Sequence, residues 1–391
     1  MASDKIHLLQ VISGLDIGGR HGGAERFGIE LSRRLDKDRF NVQVYAFWQR
    51  HTSIETYWLN MLKSEGIPVC FGSEWHGKFR VSEYWKGVRR LSNHCRAAGI
   101  DIIHSHFQMG TLASLYARRR KAVEKVIRTA HITLEWGEGL VAWLLRQTTT
   151  KWLFPLLLDQ EVGVSEAVLQ QLMEHPGTRF SKHAPILIHN AIFPDDFLPT
   201  SDPHSWDILI KEDDLVIGSV GRLTRQKGYE TLIKAAPAIL NAFPQAWFVL
   251  IGEGELRSRL EELTRSLGVH ERFRFIGKVE DVRPYLRRMD LFVLPSLWEG
   301  LPTVILESMA SGVPVIATDI PGTRELIQDG FNGWLVPVGD LKSLSDKLLQ
   351  SLSEPILRET VAAAALSKIG QFSIDQMAQK YENLFHRLIS K

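Results

Sequence analysis

Short apolar runs alternate along this chain with longer stretches whose apolar positions recur at helical spacing. "KIHLLQVIS", "FNVQVYAF", "IDIIHSHF", "KVIRTAHIT" and the opening of "EVGVSEAVLQQL" read as strands. The β-branched content and alternation of these runs suit a pleated, half-buried backbone. Between them, "GIELSRRL" and "EYWKGVRRLSNHCRAAG" read as helices, the second stopped by Gly99, and Ser165 caps a third. The pattern repeats later, with strands at "LVIGSVGRL", "AWFVLIGEG", "RFRFIGKV", "LFVLPS", "VPVIATD" and "NGWLVPV". Strands alternating with helices imply parallel sheets joined by right-handed crossovers. Two such sets imply two doubly wound domains, joined near 188–205, where Pro, Asp and Ser cluster.

A length of 391 residues suits two domains of similar size. No apolar run reaches the roughly 18 residues that span a bilayer. "MASDKIHLLQVIS" lacks the basic start and small-residue cleavage site of a secretory leader. The two cysteines, Cys70 and Cys95, make neither a disulfide framework nor a metal cluster. A cytoplasmic setting, peripheral at the inner face of a membrane, is therefore expected. The net charge of +2 is divided unevenly, with +7 over residues 1–190 and −5 over the remainder. Seven of the eleven tryptophans also lie in the first half. A basic, tryptophan-rich half suits an anionic partner or a membrane surface, against the plainer reading of ordinary surface variation.

In doubly wound sheets ligands bind beyond the carboxyl ends of the strands. "SLWEGLPTVILESMASGVPVIATD", 296–319, is such a place. Glu299 leaves a strand in a loop, and Pro302 is expected as the first helical residue. Glu307 follows one and a half turns into a helix stopped by Gly312. Gly300, Leu301, Pro302, Thr303 and Val304 line the helix N-terminus, whose free N–H groups and dipole favour an anion. Two carboxylates flanking an anion site suit a nucleotide-sugar, with Glu299 on sugar hydroxyls and Glu307 on ribose hydroxyls. The competing reading makes both ordinary surface acids. Upstream, Arg222 ends a strand and Lys227 follows in a loop before "GYETLIKAA". Two fixed cations can hold a diphosphate and stabilise it as it leaves.

"EGLPTVILESMASGVPVIATDIPGTRELIQDGFNGWLVPVGD" resembles the donor region of family-4 retaining glycosyltransferases of the GT-B fold. "GGAERF", "IDIIHSHF", "RTAHIT", "EVGVSEAV" and "ILIHNAIF" resemble that family's first domain and inter-domain segments. "GSVGRLTRQKGYETLI" and "LIGEGELRSRLEEL" resemble the start of its donor domain, and "FSIDQMAQKYENLF" its last helix. The resemblance implies two Rossmann-like domains facing across a deep cleft. Residues 1–190 would bind the acceptor and 191–370 the nucleotide-sugar, with 371–391 forming a helix that crosses back onto the first domain. It implies Arg222 and Lys227 as leaving-group cations and His131 as the residue touching the sugar near the reacting centre. It also implies retention of anomeric configuration, with the leaving phosphate helping to deprotonate the acceptor.

The remaining candidates are weaker on their own. His131 ends "KVIRTAHI"; a lone histidine is more often structural. His104 and His106 are read as pointing to opposite faces of their strand, with His106 lining the acceptor cleft. Gly22 and Gly23 could let backbone N–H groups approach the diphosphate. "IGEGELR" lacks the third glycine of a dinucleotide fingerprint, so Gly252 and Gly254 are read as a tight turn near the nucleotide. No Asp-rich cluster suggests a metal, and no cofactor is expected beyond a UDP-sugar or GDP-mannose as co-substrate. Residues 135–158, rich in Trp and Leu, with "RRRK" at 118–121, could meet a lipid-linked acceptor or growing polysaccharide. The plainer reading is a core helix, which Pro155 would break. An inactive nucleotide-sugar sensor or scaffold, and a phosphorylase or epimerase on the same fold, are the alternative functions.

Overall fold

The computed structural model describes residues 5–17, 22–131, 139–197, 210–279 and 281–390. The apolar runs of the first half become parallel strands: β1 (Ile6–Ile12), β2 (Phe40–Gln49), β3 (Val69–Glu74), β4 (Ile102–Ser105), β5 (Lys125–Ala130), β6 (Gln160–Gly163) and β7 (Ile186–Leu187). They form a sheet in the order β3-β2-β1-β4-β5-β6-β7. In β1, Leu9 and Val11 join one apolar cluster with Val88 and Leu91, while Ile12 joins another with Ile29 and Leu62. Both faces are therefore covered by helices, which is why a central parallel strand reads as a nearly unbroken apolar run. Strand β3, "VCFGSE", lies at the edge and is half exposed, so it lacks that signature and is not evident in the sequence.

The second half gives β8 (Val216–Val220), β9 (Trp247–Ile251), β10 (Phe273–Gly277), β11 (Leu291–Leu294), β12 (Val315–Thr318) and β13 (Trp334–Val336). Their order is β10-β9-β8-β11-β12-β13, again parallel. The core between this sheet and its helices is built from Leu232, Ile233, Phe248, Leu250, Leu291 and Leu348 among others. Both sheets are of the doubly wound α/β kind that the alternation of elements predicts. Local stops also fall where the residue chemistry puts them. Gly99 ends the helix Val81–Ala98 at φ 61°, and the Ser165 hydroxyl accepts from Val168 N at 3.2 Å at the start of Glu166–Glu174.

Contacts group the chain into two units, Met1–Asn190 with Ile374–Lys391, and Ala191–Ser373. The C-terminal helix Ile374–Ile389 thus belongs with the first sheet. Tyr381 shares a 2.8 Å hydrogen bond with Thr129, and Phe385 meets Phe40 edge-on at 5.9 Å. Buried Glu382 accepts from Asp36 N and from Arg39 Nη1, each at 2.9 Å.

The segment expected to be broken at Pro155 is helical without interruption over 140–157. It runs from Leu140–Leu145 through a π-helical stretch, Arg146–Leu153, into Phe154–Leu157. Phe154 N reaches back five residues to Thr149 O, a wider turn that lets the helical run carry on into the proline. Nor is it simply a core helix, because Leu140, Val141, Trp143, Leu144, Trp152, Leu156 and Leu157 are exposed. Trp136 lies outside the described residues. Among the described residues no helix is long and apolar enough to cross a membrane.

Glu382 offers a direct check on the C-terminal helix. Glu382→Ala leaves a backbone N–H and a guanidinium without their acceptor, a loss of about 2 kcal/mol. Amide exchange of Ile374–Ile389 should then speed up about 30-fold, and Glu382→Gln should do less harm. Exchange rates within twofold of the parent in Glu382→Ala would show that this carboxylate does not hold the helix.

Candidate active site

In each sheet the connections run in opposite directions from two neighbouring strands, β1 and β4 in the first and β8 and β11 in the second. Loops leaving such a pair diverge and open a crevice at the carboxyl ends. The candidate residues stand around these two places, one in each unit.

In the second unit, β8 continues into Gly221, whose N–H donates to Ile251 O at 2.9 Å, and Leu223 N donates to Glu253 O at 3.0 Å. A Cβ on Gly252 (φ 134°) would come within 2.1 Å of Gly221 O, and one on Gly254 within 2.3 Å of Leu223 O. These glycines let the loop after β9 press against the one carrying Arg222. The close approach accounts for the Gly-x-Gly pattern. Arg222 itself is exposed, and its guanidinium makes no hydrogen bond or ion pair among the described residues.

Lys227 closes a single 3₁₀ turn, Arg225–Lys227, and Gly228 follows at φ 62°. A side chain at Gly228 would meet Pro295 O at 2.1 Å, so the chain passes hard against the exit of β11. This brings Lys227 Nζ to 2.6 Å from Glu299 Oε1. The sequence assigns these two side chains separate duties, and the structure pairs them. Ser296 Oγ donates to the same carboxylate oxygen at 2.7 Å, and Gln226 Nε2 to the other at 3.2 Å. Gln226 also donates to Trp298 O at 3.0 Å and accepts from Leu297 N at 2.7 Å. Both charged side chains are largely enclosed, at 14% exposure for Lys227 and 8% for Glu299. With one of its three protons on Glu299, the ammonium keeps two for an anion.

Pro302 is not the first helical residue. With ψ 99° it is extended and stands as the cap of the helix Thr303–Ala310. Val304 through Ala310 are all buried, so the helix is apolar on every side and Glu307 is enclosed at 4% exposure. A solvated surface acid is thereby excluded for Glu307. Gly300 and Leu301 are buried ahead of the helix, and a Cβ on Gly322 would lie 2.0 Å from Gly300 O.

In the first unit, Gly22 caps the helix Gly23–Arg34, its N–H donating to Glu25 Oε2 at 2.9 Å. Among the described residues nothing lies within 4 Å of where a Cβ would be on Gly22 or Gly23. Packing therefore does not demand glycine there, and the backbone is open to approach. Residues 18–21 of that loop lie outside the described residues.

The histidines correct the sequence reading. Residues two apart on a strand return to the same face, not opposite ones. The rings of His104 and His106 are 4.2 Å apart between centroids. His106 Nδ1 lies 3.3 Å from His131 Nε2, and its Nε2 lies 2.7 Å from Gln10 Oε1. His104 Nε2 lies 2.7 Å from Thr129 Oγ1. Phe27 packs on both His106 and His131, at 5.4 and 5.0 Å between centroids. Burial, with the Arg128 guanidinium adding repulsion, pushes His131 down to about 3. Burial also holds His104 and His106 well below the usual range, so all three are neutral near pH 7.

Gln10, Gln226 and Ser296 are absent from the sequence reading. Gln10 left a trace there, as a polar residue inside the apolar run of β1, where it is fully buried. Gln226 and Ser296 left none, because their role is set by which loops the fold brings together. Among the described residues no group of three or more His, Cys, Asp or Glu side chains could hold a metal ion.

The neutral histidines make the first unit acid-labile. Unfolded, these residues protonate below about 6.5, while folded His131 resists until about 3. Stability is therefore full above pH 6.5 and is lost as pH falls toward 3. Between pH 6.5 and 5, His131→Asn should lose about 1–2 kcal/mol less than the parent in urea unfolding. An unchanged pH slope would show that His131 is not held neutral.

Residues 21–195 match the family described as Glycosyltransferase Family 4, and residues 201–368 match Glycosyl transferases group 1. The putative glycosyltransferase EpsD of Bacillus subtilis is 30% identical over 72% of this chain and 76% of its own length. The lipopolysaccharide core biosynthesis glycosyltransferase LpsE of Rhizobium meliloti is 37% identical over 43% of this chain, and the chain spans about half of that relative's length (49%). In fold, the chain resembles the HepE protein of Anabaena, solved with UDP and glucose, at a TM-score of 0.79 and 20% identity. That likeness covers 98% of this chain and 100% of the other. With the doubly wound sheets, these matches establish that the chain belongs to the family-4 glycosyltransferases of the GT-B fold.

Proposed function

We propose that the protein transfers a sugar, with retention, from a UDP-sugar to a lipid-linked or growing glycan acceptor. The observation that carries the reading is the Lys227–Glu299 pair where β8 and β11 diverge, on the same stretch as an exposed Arg222 that has no partner among the described residues. In the transfer, the bond from the anomeric carbon to the diphosphate oxygen breaks and the leaving group takes the electron pair. Arg222 and Lys227 stabilise the charge that develops on it. Glu299, already oriented by Ser296 and Gln226, accepts from sugar hydroxyls, and Glu307 accepts from the ribose. Gly300 through Val304 present the helix N-terminus to the diphosphate. His131 contacts the sugar, Gly23 offers its backbone N–H while Gly22, its own N–H held by Glu25, keeps the loop free of side chains, and His106 belongs to the acceptor side. The acceptor hydroxyl attacks on the face the diphosphate leaves, and the diphosphate takes its proton. The UDP preference draws support from the UDP and glucose bound to the Anabaena protein. The acceptor class draws support from the relative named for lipopolysaccharide core biosynthesis.

Hydrolysis of a panel of nucleotide-sugars tests this reading. One UDP-sugar should be cleaved slowly without acceptor, with EDTA present as well as absent. Arg222→Ala and Lys227→Ala should each lower the rate about 100- to 1000-fold while diphosphate binding changes far less. Binding of a nucleotide-sugar without any cleavage would favour a sensor or scaffold. Loss of activity to EDTA, restored by magnesium or manganese, would overturn metal independence.

The acceptor also bears on where the protein works, and we propose peripheral attachment to an anionic bilayer. The helical run 140–157 exposes Trp143, Trp152 and several leucines. A cavity of about 360 Å³ beside it is lined by Leu112, Leu115, Tyr116, Arg118, Arg119, Leu153 and Leu157. Tryptophan suits the interface, and each nearby basic residue adds roughly 1 kcal/mol at an anionic surface. Arg118 is bound to Asp159 at 2.9 Å, so the residues to change are the exposed Arg119 and Arg120. The parent should sediment with anionic vesicles at low salt and be released as salt rises. Arg119→Glu with Arg120→Glu should weaken attachment and spare donor hydrolysis. Failure of the parent to bind such vesicles would point to a soluble acceptor.

A further inference from the structure

Gln10 is fully buried in the central strand of the first sheet, where a polar side chain is costly unless it is bonded. Its Oε1 lies 2.7 Å from His106 Nε2, and His106 Nδ1 lies 3.3 Å from His131 Nε2. With the Gln10 amide oxygen facing the ring, which accepts only, His106 carries its proton on Nε2 and offers a bare Nδ1. That bare nitrogen can pair only with a protonated Nε2 on His131. His131 Nδ1 is enclosed, has no partner among the described residues, and is left as an acceptor. We propose that Gln10 and His106 are positioning residues that fix the tautomer of His131. His131 thus presents a bare Nδ1 that accepts a hydrogen bond from a hydroxyl of the bound sugar or acceptor.

The surroundings hold the relay in place. His106 sits on the exit of β4 and Gln10 on β1, the two strands whose connections diverge. Phe27 covers both rings from the helix Gly23–Arg34. At the next residue of that helix, a Cβ on Gly28 would meet Ile12 Cγ2 at 2.9 Å and His106 Cδ2 and Nε2 at 3.0 and 3.1 Å. Glycine in a helix interior costs roughly 1 kcal/mol relative to alanine. It stands here because the imidazole of His106 fills the space. The buried rings stay neutral, so the relay works through which nitrogen carries the proton and not through charge.

The proposal rests on reading His131 as a substrate contact, and its test separates the two. Nitrogen-15 spectra of histidine-labelled full-length protein, without any ligand, report the protonated nitrogen of each ring. The parent should show His106 and His131 both protonated on Nε2. Gln10→Leu, which removes the acceptor that holds the His106 proton on Nε2, should shift the His131 nitrogens toward a mixture of tautomers. Gly28→Ala, which displaces His106 without removing any polar group, should act like Gln10→Leu and serves if that variant does not fold. Protonation of His131 on Nδ1 in the parent would overturn the proposal, as would nitrogen shifts that ignore both Gln10→Leu and Gly28→Ala. In UDP-sugar hydrolysis, Gln10→Leu should lower kcat about tenfold, the worth of one hydrogen bond, with KM unchanged. If the tautomer shifts as expected while kcat holds, the relay stands and the reading of His131 as a substrate contact falls.

Discussion

Two parallel neighbours whose connections leave in opposite directions cannot have their exits covered by one loop. That constraint, met once in each sheet, decides where everything functional in this chain sits. In the second sheet the gap between β8 and β11 is spanned by the Lys227–Glu299 ion pair. In the first, the gap between β1 and β4 is spanned by Gln10 and His106. The two devices are chemically opposite. One concentrates charge near an open backbone, and the other is dry and neutral.

Each device depends on supports further from the chemistry. A largely enclosed ion pair gains little unless its remaining hydrogen-bonding capacity is met, because desolvation cancels much of the attraction. Ser296 and Gln226 meet that capacity for Glu299. Gln226 also stitches the β8 exit to the β11 exit through Trp298 O and Leu297 N, so the carboxylate and the lysine are fixed by one residue. Arg222 has no such support, and it stands exposed on a loop held from behind by Gly252 and Gly254. A braced acceptor, Glu299, and an exposed cation, Arg222, thus both lie on loops that leave the diverging strands β8 and β11.

The architecture was largely legible in the sequence, because strands covered on both faces announce themselves as apolar runs, and helices between them as periodic ones. Edge strand β3 was not, since half its surface is wet and Gly72 interrupts it. Arg222, Lys227, Glu299 and Glu307 could be found because each follows a strand or starts a helix at a recognisable point. Pro302 was placed one residue too far into the helix, as its ψ is extended. The pairing of Lys227 with Glu299 was not readable, since seventy-two residues separate them and only tertiary structure brings them together. The histidines were misread for a simpler reason, a miscount of strand periodicity.

The placement of the helix Ile374–Ile389 has a consequence for synthesis. It completes the first unit, covering Phe40 with Phe385 and anchoring Thr129 through Tyr381, yet it is made only after the whole of the second unit. The ribosome must first add the whole of Ala191–Ser373, which takes about 10–40 s at ordinary rates of elongation. During that interval the first unit waits with the seat of the missing helix bare, and that seat is apolar. The second unit, continuous in sequence, has no such wait. Of these two units, the one begun earlier is thus the one completed later, and the bare apolar seat is what a chaperone would cover in the interval.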